Sequence, residues 1–165
     1  LGWRFWEVGG FMGLWVIGYG IVQGCAPALR RAWGQSGPPG VSAVEFWSAL
    51  LTAIPALIAI ALWRGVGHPG VAVVVGLAIF GVVFAMNSSI HSYMILAYTE
   101  AEDVSLNVGF YYMANAAGRL LGTVLSGALF MVGGLQACLW SSALLVALAA
   151  LVSTRLPAPP RQSVA

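Results

Sequence analysis

Residues 71–86 form a run of sixteen in which no side chain is polar. A segment of that kind has no wet face, so as a helix it must be buried in protein or in lipid. With its flanks it extends over 70–98, well past the roughly 20 residues that a membrane-crossing helix needs. Four other segments, 5–28, 44–63, 104–132 and 135–156, meet the same measure. The expected fold is therefore an all-α integral membrane protein with five transmembrane helices. Pro55 is expected to kink the second span, which neighbouring helices tolerate in lipid. The 21 glycines lie inside apolar helical runs rather than in period-2 strands, which argues against a β-barrel.

Composition agrees. Hydrophobic residues make up 60% of the 165, and charged residues only 7%, against about 25% in a soluble domain. That leaves too little polar surface for a soluble enzyme, a nucleic-acid binder or a disordered segment. A net charge of +2 is too small to suggest a polyanion partner, so no nucleic acid is expected. Cys25 and Cys138 lie in apolar stretches without paired-ligand spacing, and are expected to be buried free thiols rather than a disulfide or a metal site. No Gly-rich phosphate loop, metal cluster or nucleophile elbow is present, so neither cofactor nor metal is expected. The first residues, Leu-Gly-Trp-Arg, lack an initiator Met and read as the start of a cut chain.

Five spans place the two ends on opposite sides of the bilayer. Arg30, Arg31, Arg155 and Arg161 then share one side, and Arg4 and Arg64 the other. The Arg bias favours a cytoplasmic C-terminus, with residues 157–165 as a cytoplasmic tail. The acidic turn of Glu100, Glu102 and Asp103 falls on the same side.

Chemistry concentrates on the third and fourth spans. Asn107, Tyr111, Asn115, Arg119 and Thr123 recur every four residues, a spacing that makes helical neighbours. Beside this polar stripe runs one of small residues, Ala114, Gly118, Gly122 and Ser126, suited to close helix packing. Gly9 and Gly13, and Gly20 and Gly24, suggest further close packing on the first span. Arg119 lies about fifteen residues into its span, near the midplane at about 1.5 Å per residue. An Arg there costs about 2.5–3.5 kcal/mol on insertion scales, so it should face protein or water and be paired or functional. The third span contributes Asn87, Ser88, His91 and Ser92. Counted from the shared end of the two antiparallel spans, Asn87 matches Asn115 in depth and His91 matches Tyr111. Asn87, His91, Tyr111, Asn115 and Arg119 are thus the candidate binding residues for a small anionic substrate. An intramembrane hydrolase using Ser126 and His91 is disfavoured, because their depths differ by roughly 23 Å at the helical rise and a base must reach its nucleophile.

Three stretches carry a resemblance: 107–127, with its Asn-Ala-Ala-Gly-Arg-Leu core; 80–93, containing Met-Asn-Ser-Ser-Ile-His; and 10–23, Gly-Phe-Met-Gly-Leu-Trp-Val-Ile-Gly-Tyr-Gly-Ile-Val-Gln. Together they resemble the major facilitator superfamily, and within it the organoarsenical efflux permeases. The resemblance covers essentially the whole chain, as helices 8–12 of a twelve-helix transporter, so residues 1–165 would be part of its C-terminal half. It implies export of 1-arseno-3-phosphoglycerate across a bacterial inner membrane by alternating access, conferring arsenate resistance. It also implies two partners: the missing N-terminal half, and functionally glyceraldehyde-3-phosphate dehydrogenase, which makes that product. One departure is visible. The stretch 24–31 has the Arg pair but lacks the Asp that many facilitators carry in the corresponding loop. A charge-relay role for this loop is therefore in doubt.

Overall fold

The structure, a computed structural model, describes residues 2–35, 37–99 and 103–156. It is all-helical: α1 (Phe5–Ala32), α2 (Val41–Arg64), α3 (Pro69–Tyr98) and α4 (Val104–Ser153). All four are long and apolar enough to cross a membrane. The expected tail 157–165, with Arg161, and the acidic residues Glu100 and Glu102 lie outside the described residues.

Local chemistry sets the ends. Pro69 opens α3, where a missing N–H costs nothing. Gly65 closes α2 in the left-handed region, with φ 65°, which a residue without Cβ adopts freely. α1 runs to Ala32, past the expected end at Ala28. Pro27 does not stop it, because Leu29, Arg30, Arg31 and Ala32 after it are all good helix formers.

α4 differs most from a simple rod. Its 50 residues would span about 75 Å if straight, more than twice a hydrocarbon core of about 30 Å. The backbone leaves helical geometry at Gly133 (φ −138°, ψ 15°) and Gly134 (φ 60°, ψ −156°). The latter conformation is essentially confined to glycine. The residues beyond the break turn back on those before it. Cys138 Sγ lies 3.4 Å from the carbonyl of Ser126, whereas twelve residues of unbroken helix would separate them by about 18 Å. The element counted as one helix therefore has two arms, meeting where the sequence pattern separates spans 104–132 and 135–156.

Side-chain contacts fix the directions. Trp15 Nε1 donates to the Leu77 carbonyl at 2.7 Å and Gln23 Nε2 to Ser88 Oγ at 3.4 Å, so α1 runs parallel to α3. Ser48 meets Asn87 and Ile58 meets Gly76, so α2 runs antiparallel to α3. On the side of α2 facing α4, Gln136 Nε2 of the second arm donates to the Ala59 carbonyl at 3.0 Å. α2 is the central helix. Val44, Trp47, Leu51, Ile54 and Ile58 form the core with Val83, Met86, Ile90 and Met94 of α3, and Leu139 and Val146 of the second arm pack against it. Among the described residues α1 packs on α3 alone, and Ala26 is its one buried residue. Phe5, Trp6, Leu14 and Ile21 on α1 are exposed, as are Leu120, Met131 and Val132 on α4.

Two packing expectations need correction. A Cβ at Gly9, Gly13, Gly20 or Gly24 would meet nothing within 4 Å, so none of these glycines serves a close helix contact among the described residues. The tight approaches occur instead at Gly76 against Ile58 and at Gly81 against the Trp15 ring. Cys25 is exposed and Cys138 half-buried, rather than both buried, because among the described residues α1 packs on α3 alone and Cys138 lines the open cleft between the arms of α4; both are free.

Candidate functional site

The candidate site begins where the apolar run of α3 ends. Val83, Met86, Ile90 and Met94 point into the core with α2, which turns the polar residues between them toward other neighbours. Asn87 and Ser88 occupy this second face, with His91 one helical turn beyond them. Across from them lies the first arm of α4 with Tyr111, Ala114 and Asn115. Together with Phe84 these six residues line a cleft of about 260 Å³. Four of the five candidate binding residues, Asn87, His91, Tyr111 and Asn115, thus share one cleft, from two helices that depth counting pairs in the same register.

Arg119 does not line that cleft. It is exposed one turn beyond Asn115 on the same polar stripe, and its carbonyl accepts a 2.8 Å bond from Thr123 Oγ1. Among the described residues the acidic side chains are Glu7, Glu45 and Asp103, each within the first turn or two of a helix or at its cap. Asp103, on the same helix, is sixteen residues away, or about 24 Å along the axis. No carboxylate described in this chain therefore sits at the level of Arg119. Arg4 and Glu7, which could pair through their charges, meet instead through the Arg4 backbone N–H and a Glu7 carboxylate oxygen at 2.7 Å.

The small-residue stripe is divided. Ala114 borders the cleft, and a Cβ at Gly118 or Gly122 would meet no atom within 4 Å. Gly122 and Ser126 line a second cleft, about 440 Å³, between the two arms of α4 together with Cys138, Ser141 and Ser142. Ser126 and His91 accordingly belong to different clefts.

Compared with protein-family models, with curated proteins and with solved structures, the chain matches none. What the site can do is therefore argued from its own residues.

Behind the cleft lies a polar layer that the sequence pattern did not single out. Tyr19 Oη and Gln23 Nε2 of α1 both donate to Ser88 Oγ, at 3.2 and 3.4 Å. Ser48 Oγ of α2 donates to Asn87 Oδ1 at 3.1 Å. On α3 itself, His91 Nδ1 lies 2.9 Å from the Asn87 carbonyl oxygen. A signal was available. Tyr19 and Gln23 are four apart in a span whose stretch 8–18 is wholly apolar, and Ser48 and Thr52 are also four apart, the same spacing that marks the fourth span. Only the packing of α1 and α2 onto α3 shows that these pairs converge on one place.

Proposed function

We propose that this chain is part of a multi-pass membrane transporter in which the α3–α4 cleft forms one wall of a path for a small anionic solute, and that it is not an enzyme. The observation that carries this reading is the convergence of Asn87, His91, Tyr111 and Asn115 on one cleft, with Arg119 a turn away and no carboxylate described at its level. Amide and hydroxyl donors beside an uncompensated guanidinium suit an oxyanion. An ionisable residue deep in an apolar span marks such a path more often than it serves packing. In this reading the two arms of α4 are separate crossings, which makes five in all.

The resemblance to organoarsenical efflux permeases supplies the specific substrate: 1-arseno-3-phosphoglycerate, exported across a bacterial inner membrane after glyceraldehyde-3-phosphate dehydrogenase forms it. In a twelve-helix facilitator the substrate sits between two halves. The open faces of Gly118 and Gly122 suit contact with helices outside these 165 residues, and the 165 residues alone are not expected to transport.

The test is arsenate resistance in cells expressing the intact transporter gene with Arg119→Ala. Resistance is expected to disappear while the protein still reaches the membrane, as followed by fractionation and immunoblotting. Undiminished resistance would remove Arg119 from the mechanism.

A further inference from the structure

The hydrogen bonds behind the cleft determine which of its groups remain free to meet a ligand. A serine oxygen has two acceptor positions and one proton. Tyr19 and Gln23 occupy both acceptor positions of Ser88, which leaves its proton as the group it can offer. Ser48 takes one acceptor position of Asn87 Oδ1 and so sets which way the amide points, with its amino group left free to donate. Both residues line the cleft, and each has a donor to offer whose direction is set by residues of α1 and α2 that do not line it.

His91 has the opposite character. A carbonyl oxygen only accepts, so the ring nitrogen 2.9 Å from the Asn87 carbonyl carries the proton. In the neutral ring the lone pair is then on Nε2. Among the described residues nothing bonds that nitrogen, and His91 lines the cleft. With the ring neutral, the cleft thus presents an acceptor beside two donors.

We propose that Tyr19, Gln23 and Ser48 set the polarity of this cleft, and that with His91 they select an anion that also carries a hydroxyl group. This rests on the anion-transport reading and adds to it a requirement on the ligand. The oxyanion accepts from Ser88 and Asn87, and its hydroxyl donates to His91 Nε2. An anion without a hydroxyl leaves the His91 lone pair unmet once water is displaced, a loss of about one hydrogen bond. Tyr19, Gln23 and Ser48 act as positioning residues because they reach the ligand only through Ser88 and Asn87.

Lactate and propanoate share a carbon skeleton and differ by one hydroxyl, so their affinities for the intact protein in detergent, measured by calorimetry, isolate this requirement. The wild type is expected to prefer lactate by about tenfold, the size of one such bond. His91→Phe should bring the two affinities together, and His91→Gln, which keeps an acceptor, should retain the preference. Ser48→Ala frees the Asn87 amide to turn, and should weaken both ligands while leaving their ratio unchanged. Equal affinities in the wild type would overturn the selectivity while leaving anion transport standing. A preference that survives in His91→Phe would overturn the role of His91. Binding of neither ligand would count against the anion reading itself, and the selectivity would fall with it.

Discussion

At the scale of single residues, the closest contacts fall at two glycines whose neighbours are side chains of other helices. A Cβ at Gly76 would run into Ile58 Cδ1, and one at Gly81 would lie 2.8 Å from Trp15 Nε1. The two sites should respond differently. Ile58 can be shortened, so Gly76→Ala is expected to destabilise by about 1–3 kcal/mol, as overpacking does, and Ile58→Val to relieve part of that loss. A double-mutant cycle of thermal denaturation in detergent would show the coupling; additive losses would contradict the contact. The Trp15 indole is held by its bond to the Leu77 carbonyl. Gly81→Val should therefore displace it and shift its fluorescence, with no single small substitution restoring it.

At the scale of elements, the decisive feature is the break in α4. Gly134 has φ 60° and ψ −156°, a conformation that costs a residue with a Cβ about 1–3 kcal/mol. Gly134→Ala should lower stability by that amount, whereas Gly127→Ala, in regular helix with open space around it, should be neutral or slightly stabilising. The fold-back has an independent check. With Ser126→Cys, oxidation should form an intramolecular disulfide with Cys138, whose sulfur already lies against the Ser126 carbonyl. A straight helix would hold the two Cα atoms about 18 Å apart, far beyond the roughly 7 Å limit for a disulfide. Absence of the crosslink would contradict the hairpin.

For the whole molecule, the distribution of contacts matters more than any one of them. α2 is buried between α3 and the second arm of α4, while α1 and the first arm of α4 stand at the margins with broad apolar faces exposed. Such faces suit lipid or further helices, in keeping with a multi-pass membrane protein. If the two arms of α4 each cross the bilayer, the loop at Arg30 and Arg31 shares a side with the C-terminal end, and Arg4 and Arg64 lie opposite. Single cysteines introduced at Gln35 and Val66, in a Cys25→Ser, Cys138→Ser background, should then react with an impermeant maleimide from opposite sides of sealed cells. By the Arg bias, Val66 should label from outside. Labelling of both from one side would refute the alternation.

Much of this was legible in the sequence because a bilayer imposes length and polarity on each helix separately. Residues 71–86 dictate an apolar helix whatever surrounds them, and the apolar length after residue 104 is too great for one crossing, which divides it into 104–132 and 135–156. That Asn87, His91, Tyr111 and Asn115 line one cleft is in keeping with a count along two antiparallel neighbours from their common end. Lateral arrangement was not legible, because spacing along one helix does not say which helix lies beside it. The glycine pairs of α1 had the right spacing for close packing and no neighbour among the described residues, while Gly76 and Gly81 had no such spacing and received one. Likewise Tyr19, Gln23 and Ser48 came to back Ser88 and Asn87 only when α1 and α2 were laid against α3. The sequence by itself determined which residues share a level along their helices; the tertiary structure decided which of them meet, because lateral packing depends on the shapes of two surfaces at once.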